Sequence, residues 1–104
     1  MPTCFIVRAQ VDQSQLREAF DRWYQEEHLP EALKAFGAQR AWRGWSEVDP
    51  SLHYAYYEFS DPKQARAVPG SLALKLLVAE FDRVWGSEIK RSRDVVEVKQ
   101  LISQ

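Results

Sequence analysis

The sequence predicts an α+β fold, with helices on one face of a four-stranded antiparallel sheet in the order β-α-β-β-α-β, the ferredoxin-like arrangement. Three observations predict it. Runs of alternating apolar and polar residues begin at Thr3, Ala38, Leu52 and Val95. Amphipathic patterns at helical spacing fill the gaps after the first and third runs. Only Asp49-Pro50-Ser51 separates the second run from the third, which makes that pair an antiparallel hairpin.

The elements follow in order. Thr3 to Val11 alternates, with Phe5, Val7 and Ala9 opposite Cys4, Ile6 and Arg8, and forms the first strand. Asp12 or Ser14 can cap the next helix, with Gln15 completing a capping box. Leu16, Ala19, Phe20, Trp23 and Tyr24 make its apolar stripe. Pro30 removes a backbone donor and clashes with the carbonyl of Glu26, so the helix should kink or end between Glu27 and Leu29, with His28 at the bend. Glu31 to Phe36 is a second short helical piece, stopped by Gly37 in a left-handed conformation.

Ala38 to Val48 is a tryptophan-rich strand with Trp42 and Gly44 on one side and Arg43 and Trp45 on the other. Leu52 to Phe59 puts Leu52, Tyr54, Tyr56 and Glu58 opposite His53, Ala55, Tyr57 and Phe59, with His53 expected to face solvent at the strand's start. Asp61 and Pro62 start a short helix that Pro69-Gly70 stops, and Ser71 restarts it. Leu74, Leu77, Val78, Phe81, Val84 and Trp85 then form the strongest helical stripe, ended by Gly86. Lys90, Arg91 and Arg93 lie in a polar link, a solvated loop able to steer an anionic ligand, before a last strand from Val95 to Ile102.

At 104 residues and 45% hydrophobic, the chain is expected to be a single domain over residues 1-104. A net charge of -1 offers no broad basic surface, so neither nucleic acid nor an anionic membrane is an expected partner. One cysteine and two scattered histidines give no metal-ligand spacing and no disulfide, and a cytoplasmic location is expected. No apolar run is long enough to span a bilayer. If Phe5, Val7, Ala55, Tyr57, Phe59, Val96 and Val98 face the helices, the other sheet face carries Ile6, Arg8, Tyr54, Tyr56, Glu58, Glu97 and Lys99. That mixture is too aromatic for a solvated face and too charged for a dry core. A second copy is expected to cover it in an isologous contact, pairing Arg8 and Lys99 with Glu58 and Glu97.

The segments Trp23-Tyr24, Glu27-His28-Leu29-Pro30 and Phe81-Asp82-Arg83-Val84-Trp85 resemble those of the dimeric α/β-barrel proteins, most nearly the EthD-type group, and the resemblance spans Thr3 to Leu101. Phe36-Gly37 departs from the Pro-Gly of many relatives, which alters one wall of any pocket. The resemblance implies a homodimer with small-molecule clefts between sheet and helices or at the dimer seam. It does not imply one reaction, because the superfamily includes cofactor-independent monooxygenases, isomerases, cyclases, decarboxylases and haem-binding dehydratases. The residue it carries over is His28.

The expected chemistry is proton transfer without a cofactor on a small apolar or aromatic organic substrate, with His28 as catalytic acid or base and Glu27 or a tyrosine fixing its tautomer. Tyr54, Tyr56 or Tyr57 would hydrogen-bond the substrate, while Trp23, Tyr24, Trp42 and Trp45 would supply flat walls. Arg40 and Arg43 are candidates for an acidic group. The alternative is a non-catalytic homodimer that binds an apolar metabolite. Cys4 reads as a buried, inert thiol.

Overall fold

A computed structural model describes Met1–Gln104. Strands β1 (Thr3–Gln10), β2 (Arg40–Trp45), β3 (Leu52–Phe59) and β4 (Lys90–Glu97) form one antiparallel sheet in the order β2-β3-β1-β4. The helices are α1 (Arg17–Trp23), α2 (Leu29–Phe36), α3 (Pro62–Ala67) and α4 (Leu72–Trp85). The long helical crossovers join β1 to β2 and β3 to β4, which run parallel but are not neighbours, so every adjacent pair in the sheet is antiparallel.

The core lies between one sheet face and the helices. Phe5, Ala9, Ala55, Tyr57 and Phe59 from the sheet meet Phe20, Tyr24, Ala32, Leu74, Leu77 and Phe81 from the helical layer. Phe20 sits at the centre of this aromatic packing, its ring 5.3 Å from Trp85 and 6.0 Å from Phe81. Local chemistry sets the helix ends where the sequence marks them. Asp61 accepts from the Lys63 amide at 2.9 Å, and Ser71 from the Leu74 amide at 3.1 Å. Gly37 stops α2 at φ 68°, a conformation that costs glycine little.

Four local expectations are corrected. Neither Asp12 nor Ser14 caps the first helix, which begins instead through a 3-10 turn at Ser14–Leu16, while Asp12 accepts from the Gln10 side chain. The helix does not end before Pro30. It passes through a π turn, Tyr24–His28, in which the Leu29 amide reaches back to the Tyr24 carbonyl, and the widened turn accommodates the proline without a break. His53 is fully buried, in keeping with the parity it shares with Ala55, Tyr57 and Phe59.

The last strand starts earlier than expected and in the opposite parity. Phe5 pairs with Val95, Val7 with Arg93 and Ala9 with Arg91, so Val95, Arg93 and Arg91 face the helices while Val96 turns outward. Valines stand on both parities of this segment, so apolar alternation alone does not choose between them. The outer face is therefore Cys4, Ile6 and Arg8, Trp42, Tyr54 and Tyr56, with Asp94 and Val96 on the edge strand. Glu58 and Glu97 already have cations within the chain: Arg40 binds Glu58 through two hydrogen bonds of 3.0 Å, and Arg66 and Lys99 pair with Glu97. The expected pairing of Glu58 and Glu97 with Arg8 and Lys99 across a dimer is not needed to neutralise them.

Candidate active site

The π turn determines where the central histidine goes. Its extra residue rotates His28 inward, so that it is 8% exposed and lies stacked on Trp23 with ring centres 4.6 Å apart. Its edge meets Tyr24 at 4.8 Å. Burial, followed by the positive charge of Arg91, pushes its pKa down to about 4, with Glu80 opposing. His28 is neutral at pH 7. No carboxylate or phenol hydrogen-bonds the ring, and its buried Nδ1 has no partner, so stacking on Trp23 rather than Glu27 or a tyrosine holds its orientation.

His28 borders a narrow cleft, open at its mouth and with an interior of about 20 Å³, between α2, α4 and the inner face of β1 and β4. Val7, Phe36, Leu74, Leu77, Val78 and Phe81 make its apolar walls. Tyr24, Tyr57, Arg91 and Arg93 bring the polar groups. The two phenols neighbour one another; burial pushes Tyr24 up to about 12 and Tyr57 well above the ordinary tyrosine value. Both are protonated donors at neutral pH. Arg91 lies 4.1 Å over the Phe81 ring and forms a 2.5 Å ion pair with Asp82, which fixes its position.

A second, half-buried group lies along the same face. Asp21 accepts from Arg43 at 2.7 Å and from the Trp45 indole at 2.8 Å, and these bonds hold its carboxyl below the usual range. Arg43 also approaches His53 Nε2 at 3.3 Å. A guanidinium only donates, so this nitrogen accepts and the ring proton sits on Nδ1. Burial, then Arg43, pushes His53 to about 4. Asp21, Arg43 and Trp45 are paired with one another, whereas the buried Nδ1 of His53 has no partner; the His53 ring centre is 4.4 Å from that of Tyr24.

The candidate residues therefore separate. His28, Tyr24 and Tyr57 come together in the cleft, with Trp23 behind the histidine. Trp45 and Arg43 serve the Asp21 group. Arg40, Trp42, Tyr54 and Tyr56 lie on the opposite sheet face, away from the cleft, because their parity on β2 and β3 points them outward. There Trp42 stacks on Tyr56 with ring centres 5.4 Å apart, and Arg40 lies over Trp42. Arg91 and Arg93, read as loop residues, are cleft residues. Their spacing of two within a strand of inward parity was the available signal. No group of three or more His, Cys, Asp and Glu side chains is arranged to hold a metal ion.

Comparison with solved structures places this geometry among known folds. An EthD family protein from Bacillus halodurans matches with a TM-score of 0.69 at 16% identity, over 94% of this chain and 99% of that one. The fold that the two share is the ferredoxin-like one. A protein from Nitrosomonas europaea described as an antibiotic biosynthesis monooxygenase matches with a TM-score of 0.64 at 20% identity, covering 94% of this chain and 90% of that chain. SnoaB of Streptomyces nogalater, described as a cofactor-independent oxygenase, matches with a TM-score of 0.64 at 11% identity, covering 99% and 98%. No protein-family model and no curated protein matches the sequence. At these identities the likeness is one of fold. No helix is long and apolar enough to cross a membrane.

Proposed function

We propose that the chain is a homodimeric, cofactor-independent enzyme that transfers a proton on a small apolar or aromatic organic substrate held in the His28 cleft. The observation that carries this reading is a neutral histidine with no hydrogen-bond partner, bordering an apolar cleft beside two protonated phenols. The sequence of events follows from those protonation states. His28 offers an unprotonated ring nitrogen at any pH above about 4 and accepts the proton from an acidified C–H or O–H of the substrate. A phenol hydrogen from Tyr24 or Tyr57 meets the substrate oxygen on which negative charge collects. As that charge forms, it favours the imidazolium that a desolvated site otherwise opposes, and the proton returns to another atom of the same substrate.

The outer sheet face supports the dimer. Trp42 is 40% and Val96 41% exposed, and with Tyr54, Tyr56 and Ile6 they form an aromatic and aliphatic surface across the strands. A second copy of the same surface is its natural cover. The depressed basicity of His28 also favours a second reading, a dimer that binds an apolar metabolite without turning it over.

The two readings part on deuterium exchange. In D₂O the protein is expected to accelerate deuterium incorporation next to the carbonyl of 2-tetralone or an unsaturated γ-lactone, followed by mass spectrometry. His28→Gln should slow that exchange by about 10²- to 10⁴-fold while both compounds still bind. Exchange equal in His28→Gln and wild type would remove the catalytic role and leave the binding reading.

A further inference from the structure

The charges around the cleft do not cancel. Arg91 is neutralised by Asp82, and Glu80, the other carboxylate near His28, is held by Arg83 at 2.6 Å. His28 and the two tyrosines are uncharged at neutral pH. Arg43 is occupied by Asp21, and Arg40 belongs to the other face. Arg93 remains. It lines the cleft from β4, it forms no ion pair, and its strand neighbours on the same face are Val95, Arg91 and Val7. An inward parity on a sheet ordinarily carries an apolar side chain, as Phe5 and Val7 do on the adjoining strand. Here it carries a guanidinium at the mouth of an apolar slot.

We infer that the cleft takes a small planar carboxylic acid, bound as its carboxylate to Arg93 with its flat body between Phe36, Leu74 and Val78. The inference rests on the reading of the cleft as a ligand site and adds the substrate class. A guanidinium without a counter-ion recognises a carboxylate through two parallel hydrogen bonds, and partial shielding from water strengthens them. Arg91, pinned by Asp82, adds a second donor-rich wall without competing for the anion. The orientation puts the acid at the mouth and leaves the body of the molecule toward His28 and the phenols.

The test compares each acid with its neutral, near-isosteric amide: benzoate with benzamide, and 1-naphthoate with 1-naphthamide. Binding is followed on the intact protein by shifts of the His28 ring and the Leu77 and Val78 methyl signals. The acids are expected to bind at least about tenfold more tightly than the amides. Arg93→Gln should abolish that preference and leave amide affinity unchanged, Arg93→Lys should keep part of it, and Arg22→Gln, on the exposed side of α1, should not alter it. Arg93 lies at an exposed edge, and circular dichroism confirms that each variant is folded. Equal affinity for acid and amide in wild type, or a preference that survives Arg93→Gln, overturns the inference while leaving the cleft a ligand site. Failure of both acids and both amides to bind overturns the ligand site itself, and the inference with it.

Discussion

Lowering the pH from 7 to 5 is expected to remove about 4 kcal/mol of folding stability from this protein, through two histidines buried in neutral form. His28 and His53 both have folded pKa values of about 4, against 6.5 for a free side chain. Between those values the unfolded chain binds protons that the folded chain refuses, so stability rises with pH. It is fully present above about 6.5, falls as the pH drops toward 4, and changes no further on this account below that. At pH 5 each histidine accounts for about 2 kcal/mol, a large share of the roughly 5–15 kcal/mol available to a domain. The melting temperature should fall by roughly 15 °C or more between the two pH values. Carboxylates with depressed values, Asp21 and Glu97 among them, begin to lose their contribution only as the pH enters the ordinary carboxylate range and lose it fully below their folded values, so little of it is lost between pH 7 and 5. His28→Gln should about halve the loss between pH 7 and 5. Melting temperatures that coincide at pH 7 and 5 would show that neither ring is buried as described.

A charge placed in the outer sheet face should dissociate the proposed dimer. Tyr56 lies in the middle of that face, stacked between Trp42 and Tyr54, with Ile6 as its cross-strand neighbour. Tyr56→Glu puts one unpaired carboxylate from each protomer into an isologous seam, where desolvation costs several kcal/mol per ion. The fold is expected to survive, because the core and cleft occupy the opposite face. Light scattering at micromolar concentration should give twice the chain mass of 12.1 kDa for wild type and the single mass for the variant. A wild type at the single mass, or a variant still at twice it, contradicts this account of the face.

The order of elements was legible because each strand and helix carries its own signals, and these agreed: Pro62 behind Asp61, Ser71 after Pro69-Gly70, and Gly37 after an apolar turn. Parity was legible where one side of a strand was clearly more apolar. On β1 Phe5, Val7 and Ala9 settled it; on β4, where Val95 and Val96 are adjacent, nothing local did, and the arginines went unrecognised as cleft residues. Long-range pairing with β1 decided that strand. Three residues singled out in the sequence, His28, Tyr24 and Tyr57, border one cleft, yet the environment of His28 was not legible. Pro30 is consistent with a helix end or with a widened turn, and only packing of Trp23 and Phe81 around the ring selects the turn that buries it. A histidine exposed at a helix end would have its pKa raised by the helix dipole, whereas the buried one has it lowered.

That opposition in sign makes the His28 titration the most direct measurement. The ring protons of His28, assigned by comparison with His28→Gln and followed by NMR from pH 7 downward, should titrate near 4. Such a value would establish the neutral, desolvated histidine on which the proposed proton transfer rests. A midpoint at or above the 6.5 of a free histidine would place the ring in water at a helix end, and the cleft would lose the group that makes it a candidate active site.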